Sequence, residues 1–256
     1  MGRILVLLYG VVCYVIFLAT FIYAIGFVGN LLVPKSIDNG APAATLTRAL
    51  ILNIILLSIF AIQHSVMARP AFKKIWTKFV PVSIERSTYV LLSSLALILL
   101  FWQWRPIGDV IWDVQNAAGQ YVLWTLFFIG WGMVLLSTYL INHFDLFGLR
   151  QVYLYSKGVD YHHVGFKAVL LYKIVRHPIM LGFITAFWAT PRMTAGHLLF
   201  AAVTTVYILV AIQLEERDSL RFMGDEYVEY RSQVAMILPI PKRRAQAAAA
   251  DGAVDG

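Results

Sequence analysis

Six stretches of the chain contain no Asp, Glu, Lys or Arg: 4–34, 49–68, 87–104, 114–144, 177–191 and 193–214. A helix that crosses the hydrocarbon core of a bilayer needs about 20 mostly apolar residues. The first four stretches and the last can each supply one. Stretch 177–191 is shorter and ends at Pro191. It pairs with 193–214 as a helical hairpin turning at 190–196, whose first arm either reaches back before His177 or stops short of a full crossing. Composition agrees: 60% of residues are apolar and 14% charged, and mean hydropathy is +0.72. Soluble domains average roughly 45–50% and 25%. A disordered chain is excluded and a soluble globular fold does not account for the pattern. The expected fold is an all-α integral membrane protein of about six membrane helices, the last two a hairpin, with cytoplasmic loops and a short amphipathic C-terminal helix.

Cations give the orientation, because cytoplasmic loops carry an excess of Lys and Arg. Segment 69–86 holds Arg69, Lys73, Lys74, Lys78 and Arg86, and segment 145–176 holds Arg150, Lys157, Lys167, Lys173 and Arg176. Segment 34–48 holds only Lys35 and Arg48, and 105–113 one Arg against two Asp. Both five-cation segments therefore face the cytoplasm, with both chain ends on the same side and an even number of crossings. The formal charge of +7 fits loops against anionic membrane lipid rather than a nucleic-acid partner. The first stretch is too long for a signal peptide and lacks a clear cleavage site, so it reads as a retained helix. The one cysteine, Cys13, excludes a disulfide framework. Residues 1–244 form one domain, and 245–256, rich in Ala, Gly and Asp, read as a disordered tail. Nothing in the sequence fixes the oligomeric state.

Polar groups at membrane boundaries cost energy and ask for a reason. Gln63-His64-Ser65 closes the second span. His143 and Asp145 close the fourth. Arg176-His177-Pro178 opens the hairpin and Glu215-Glu216-Arg217 closes it. On the orientation above, all four lie at the cytoplasmic side, as an active site between helices requires. Ordinary interface polarity is the other reading. A helix starting at Pro178 leaves free backbone donors beside Arg176 and His177, a place for an anion. Gly182 admits a ligand or a neighbouring helix. The glutamate pair binds a cation, bonds ribose hydroxyls, or simply begins a solvated helix, in which Leu220, Phe222, Tyr227 and Tyr230 cover one side around a break at Gly224.

Other chemistries fit poorly. There is no glycine-rich phosphate loop and no Gly-x-Ser-x-Gly elbow. His162-His163, as a metal pair, would point apart on a helix, and no metal site is expected. A haem or quinone wants paired histidines mid-membrane, whereas His64, His143 and His177 lie at helix ends. A transporter would show duplicated halves, which are absent.

Arg176-His177-Pro178-Ile179-Met180-Leu181-Gly182 resembles the Arg-His-Pro-x-Tyr-x-Gly signature of the isoprenylcysteine carboxyl methyltransferase superfamily. Glu215-Glu216, Leu220, Gly224, Tyr227, Tyr230, Val234 and Pro239 resemble the glutamate-pair signature that follows it. Gln63-His64-Ser65-Val66-Met67-Ala68-Arg69-Pro70, Ile84-Glu85-Arg86-Ser87-Thr88-Tyr89-Val90, Phe101-Trp102-Gln103-Trp104-Arg105-Pro106 and Asn142-His143-Phe144-Asp145-Leu146-Phe147-Gly148 look like the NnrU-like branch, and most like its thiol-methylating members. The likeness covers about residues 4–243. It implies S-adenosyl-L-methionine as methyl donor, in a cytoplasm-facing pocket lined by Arg176, His177, Met180, Leu181 and Gly182, with Glu215, Glu216, Tyr227 and Arg231 from the tail side. Two departures stand out. The signature tyrosine is Met180 here. Where related enzymes carry a basic residue for a substrate carboxylate, this chain has Leu209-Val210-Ala211. A small thiol, methanethiol, therefore fits better as acceptor than a carboxylate, and its product is dimethyl sulfide.

For such a reaction the thiolate is the nucleophile, so a base is needed. Chemistry and position, not the superfamily signature, nominate His64 and His143, with Asp145 supporting a histidine and His177 next in line. Burial lowers a histidine's pKa and keeps it able to accept a proton. A lipid or isoprenoid acceptor would instead require a lateral opening between helices, and a non-enzymatic accessory protein would not bind the donor.

Overall fold

The computed structural model describes residues 2–162, 165 and 168–239. His163, half of the candidate metal pair, and the tail 245–256 lie outside them. Ten α-helices occur among the described residues. They are α1 (Arg3–Gly29), α2 (Leu46–Ala68), α3 (Pro70–Trp76), α4 (Val82–Gln103), α5 (Ala117–Ile141), α6 (His143–Leu146), α7 (Leu149–Lys157), α8 (Pro178–Trp188), α9 (Ala195–Met223) and α10 (Asp225–Gln233). Five of them, α1, α2, α4, α5 and α9, are long and apolar enough to cross a membrane. The protein is an all-α integral membrane protein.

Three of the long helices start where the sequence supplies a cap. Thr45 Oγ1 accepts from the Arg48 N–H (3.2 Å), Asn116 Oδ1 from Gly119 (2.7 Å) and Thr194 Oγ1 from His197 (3.1 Å). Each satisfies a donor that the helix leaves unpaired. Phe27, Leu57, Phe101, Trp104, Phe127, Trp131, Phe187 and Phe200 form one aromatic-rich core between α1, α2, α4, α5, α8 and α9. The outward positions, such as Val15, Ile51, Val122 and Val206, are apolar and exposed. In water such a surface would be untenable, but it is what lipid requires.

The hairpin differs from a pair of full spans. Helix α8 has 11 residues, so it rises about 16 Å, roughly half of the ~30 Å hydrocarbon core. A 3-10 turn (Leu170–Lys173) and an extended step precede it. The start of α1 is beside the end of α7, with Arg3 next to Gly158. Arg69 pairs with Asp218, and Arg86 Nε donates to the Leu146 carbonyl. Both cationic segments and the end of α9 thus gather at one end of the bundle.

The opposite end is closed by two short strands that the sequence pattern does not announce. β1 (Val110–Asp113) pairs antiparallel with β2 (Arg192–Thr194), and Asp38 accepts from Thr194 Oγ1. A second difference concerns α9. Its apolar stretch stops at Leu214, yet the helix runs on to Met223 and ends only at Gly224, whose φ of +55° suits glycine. The glutamate pair therefore sits inside a helix rather than at its boundary.

Candidate active site

Pro178 begins α8 and cannot donate a backbone hydrogen bond, and the residue before a proline avoids helical geometry. The chain ahead of it is therefore extended, and its amides seek partners elsewhere. They find the segment after α10. Arg176 N–H donates to the Ala235 carbonyl (2.8 Å) and His177 N–H to the Met236 carbonyl (3.2 Å), with a parallel bridge between Val175 and Ala235. This strap brings the arginine-histidine and glutamate-pair motifs into contact, 40 residues apart.

Arg176 is buried at the junction. Its Nε and Nη2 reach Glu216 Oε1 at 2.8 and 2.5 Å. Its Nη1 donates to the carbonyls of Arg231 (3.2 Å) and Val234 (2.5 Å), where α10 ends. A guanidinium at a helix C-terminus satisfies orphan carbonyls and opposes the helix dipole. His177 Nε2 is 3.2 Å from Glu216 Oε1, and its Nδ1 is 3.8 Å from Glu215 Oε2. Arg231 Nε is 3.4 Å from Glu216 Oε2. Glu216 is thus enclosed by three basic side chains, whereas the side chain of Glu215 is 53% exposed.

Two tyrosines of α10 close the site. Tyr227 is buried, and burial pushes its hydroxyl pKa up, with the Glu216 charge adding to the effect. Tyr230 donates to the Tyr172 carbonyl (2.6 Å), and burial pushes its pKa up to about 12. Both stay protonated at neutral pH.

Beyond His177 the site turns apolar. Met180 and Leu181 pack beside Ile208, Ile212 and Ile237. A groove of about 440 Å³ runs along them, lined by Leu181, Ile184, Leu209, Met236, Ile237 and Leu238. Gly182 points the other way. A Cβ there would lie 2.7 Å from the Gly130 carbonyl oxygen, and one on Gly130 would lie 2.7 Å from that of Gly182. Of the two readings the sequence left open for Gly182, the structure places it in helix packing. Arg176, His177, Met180, Leu181, Glu215, Glu216, Tyr227 and Arg231 gather around the strap.

The two nominated base histidines have unlike surroundings. His143 is sealed: Nδ1 is 2.8 Å from Thr138 Oγ1, Nε2 is 2.8 Å from Tyr14 Oη, and Tyr139 stacks on the ring at 4.2 Å. Thr138 already donates to the Leu135 carbonyl (2.7 Å), so it accepts from Nδ1–H, and Tyr14 donates to Nε2. Both nitrogens are spent. Asp145 does not support a histidine. Its carboxylate faces α7 instead, held by Arg150 (3.1 Å), Tyr161 (3.1 Å) and Gln151 (3.4 Å).

His64 is different. It is half-buried between α2 and α4. Ser93 Oγ is 3.1 Å from its Nδ1, and Tyr89 Oη is 3.0 Å from both ring nitrogens. Sequence reasoning gave no role to Tyr89, Ser93 and Tyr207 here, nor to the strap at 234–236. The tyrosines stand in apolar stretches, where a hydroxyl inside a span is costly enough to be a signal in its own right. The strap works through backbone groups and leaves no residue signature.

No family model and no solved structure matches the chain. Curated relatives do. It is 60% identical to the methanethiol S-methyltransferase of Mycobacterium tuberculosis, over 95% of this chain and 99% of that protein. Identity is 55% to the methanethiol S-methyltransferase of Crocosphaera subtropica, over 93% of each. Nurim of Mus musculus is a more distant relative, 29% identical over 68% of this chain and 69% of that protein. With near end-to-end coverage at such identity, the chain belongs to the methanethiol S-methyltransferase family.

Proposed function

We propose that this protein is a membrane S-methyltransferase that moves the methyl group of S-adenosyl-L-methionine onto methanethiol and releases dimethyl sulfide at the cytoplasmic end of the bundle. The observation that carries this reading is the meeting of Arg176-His177 with Glu215-Glu216 and the strap. It builds a polar cradle that opens onto an apolar groove.

The side chains present fit the donor. An exposed carboxylate (Glu215) suits ribose hydroxyls, and the half-exposed Arg231 guanidinium suits an amino-acid carboxylate. Met180 and Leu181 offer an apolar wall to the rest. Arg176 and Glu216 are bound to each other and to the strap, and so hold the cradle in shape. Gly182 keeps α8 seated on α5. When bound, the donor supplies a methyl group on a positively charged sulfur.

Charge on both sulfurs disappears as the methyl group passes, and a dry apolar site favours that loss. His64 accepts the thiol proton, since its partners are hydroxyls that can turn away from Nε2, whereas His143 is locked on both nitrogens. His143 locks the corner between α1, α5 and α6. A neutral, small acceptor needs no charged funnel, and the Leu209-Val210-Ala211 stretch provides none.

The test uses purified protein in detergent with S-adenosylmethionine and methanethiol, and gas chromatography for dimethyl sulfide. Product is expected from the native chain and not from a His64→Ala, His143→Ala double variant that still binds donor. Absence of product from native protein that binds donor would end the proposal. Full activity in the double variant would remove only the base.

A further inference from the structure

One layer of the bundle holds five polar side chains that the donor cradle does not use. His64 and Ser65 come from α2, Tyr89 and Ser93 from α4, and Tyr207 from α9. Ser65 Oγ is 3.2 Å from Tyr207 Oη, while Tyr89 and Ser93 both reach the His64 ring. Phe60 stacks on His64 at 5.2 Å and meets Tyr207 edge-on at 6.2 Å. Polar groups inside spans are costly and mark functional positions. Tyr207 is eight residues before Glu215 on the same helix, about 12 Å along its axis. The layer and the cradle are thus joined by α9.

The geometry of Tyr89 is unusual. A hydroxyl 3.0 Å from both nitrogens of one imidazole cannot lie along the lone pair of each. Ser93 is the better-placed partner, on Nδ1. With Nδ1–H donated to Ser93, the Nε2 lone pair is left for another proton. The guanidinium carbon of Arg86 lies 4.9 Å from the Tyr89 ring centroid. A cation over the ring draws charge from it and makes the hydroxyl a stronger donor. The charged and titratable groups facing the pair are Arg86 and Glu85 of α4, Arg69 at the end of α2, and Tyr207 of α9. Asp218 of α9 pairs with Arg69 (2.8 Å), which leaves Arg86 as the cation over the Tyr89 ring.

We propose that Tyr89 is a catalytic residue of the acceptor site, donating its hydroxyl hydrogen bond to the sulfur of the thiolate that His64 generates. The inference rests on the methyltransferase reading above. The S–H proton passes to His64 Nε2. The sulfur keeps the electron pair and receives the Tyr89 O–H. It then forms a bond to the methyl carbon as the bond from that carbon to the donor's sulfonium breaks, with the breaking pair staying on the donor's sulfur. The proton on His64 leaves to water after product departs. Phe60 packs on His64 and against Tyr207, and Met67 packs beside Tyr89, an apolar and aromatic surrounding that suits a thiol with one carbon.

The experiment compares full-length native protein with Tyr89→Phe, which keeps the ring under Arg86 and removes the hydroxyl. Donor binding by calorimetry should be unchanged. The kcat with methanethiol at pH 7 should fall about 10²-fold, as for loss of one donor to a developing anion. The deficit should shrink as pH rises toward 10, where the thiol ionises without help. It should also shrink along a series of small thiols of increasing acidity. A merely structural role predicts a deficit equal at every pH and for every thiol, and that result overturns the proposal, as does native kcat in Tyr89→Phe. Ser93→Ala, which frees His64 Nδ1, should show the same alkaline rescue and stands in if Tyr89→Phe does not fold. Unchanged kcat in Ser93→Ala then overturns the proposal. Native protein that binds donor but makes no dimethyl sulfide overturns the methyltransferase reading and this one together. An active native protein with an indifferent Tyr89→Phe overturns this one alone.

Discussion

Arg176 joins three things that would otherwise separate: the extended step before α8, the glutamate of α9 and the end of α10. Its side chain and that of Glu216 are 4% and 5% exposed. Breaking a buried pair from one side strands the other charge, at about 3–5 kcal/mol. Arg176→Ala should therefore lower the thermal midpoint in detergent sharply and abolish donor binding by calorimetry. Arg176→Lys should recover only part of the midpoint, because an ammonium cannot reproduce the guanidinium fork across a carboxylate and two carbonyls. The histidines separate in the opposite sense. His143→Ala leaves the Tyr14 hydroxyl without its acceptor and should cost about 1–3 kcal/mol of stability, while dimethyl sulfide formation per folded molecule persists. His64→Ala leaves Tyr89 and Ser93 without their ring partner and should cost a similar amount, but it should lose turnover per folded molecule as well. Paired unfolding and turnover measurements on the two variants check both halves, and a stable but inactive His143→Ala would reverse the assignment.

The seam between α5 and α8 is set by two glycines in mutual contact. A methyl on Gly130 would meet the Gly182 carbonyl oxygen and the Ala186 backbone nitrogen at 2.7 Å, and backbone cannot step aside as a side chain can. Gly130→Ala should push the helices apart and cost about 1–3 kcal/mol, the range for overpacking. Gly132→Ala, two residues on, meets nothing within 4 Å and should be neutral or slightly stabilising, since alanine favours helix. Thermal unfolding of both variants in detergent decides it, and equal midpoints would remove the seam as a constraint. The same seam marks the limit of what the sequence could reveal. Gly182 was legible as either a ligand's approach or a helix contact, but only its neighbour on α5 distinguishes them. Arg176, His177 and Glu216 were legible because their chemistry is costly inside a membrane. The strap was not, because Ala235 and Met236 act through carbonyls that every residue owns. Asp145 was misread as a histidine's partner because sequence proximity does not fix where a four-residue helix turns its carboxylate. The length of α8 was half legible: Pro191 and Pro178 bound it, while the extended pass before Pro178 has no apolar period to announce it.

At the scale of the whole molecule, the bundle has two unlike ends. One gathers segment 69–86 and the described residues of 145–176, both rich in cations, together with the end of α9 and all of α10. The other holds the β1–β2 pair and the loop around Asp38, with Lys35, Arg48, Arg105 and Arg192 against Asp38, Asp109 and Asp113. Loop cations set orientation and acids contribute little, so the first end should face the cytoplasm, where the methyl donor is made and where anionic lipid holds basic loops. The sequence provides a clean way to test this. Cys13 is the only cysteine and is fully buried, so a single introduced thiol reports alone. Ala43→Cys and Asp109→Cys lie on the strand-capped end, and Lys74→Cys and Lys157→Cys on the cationic end. None of these side chains belongs to the donor cradle or to the His64 layer. In intact cells a membrane-impermeant thiol reagent should label the first two and spare the second two, and permeabilised cells should label all four. The reverse pattern would put the glutamates and Arg176 outside, away from the donor, and the cytoplasmic active site would be lost with it. Labelling of all four in intact cells would mean leaky cells or dual insertion, which a cytoplasmic marker protein carrying a surface thiol distinguishes in the same sample.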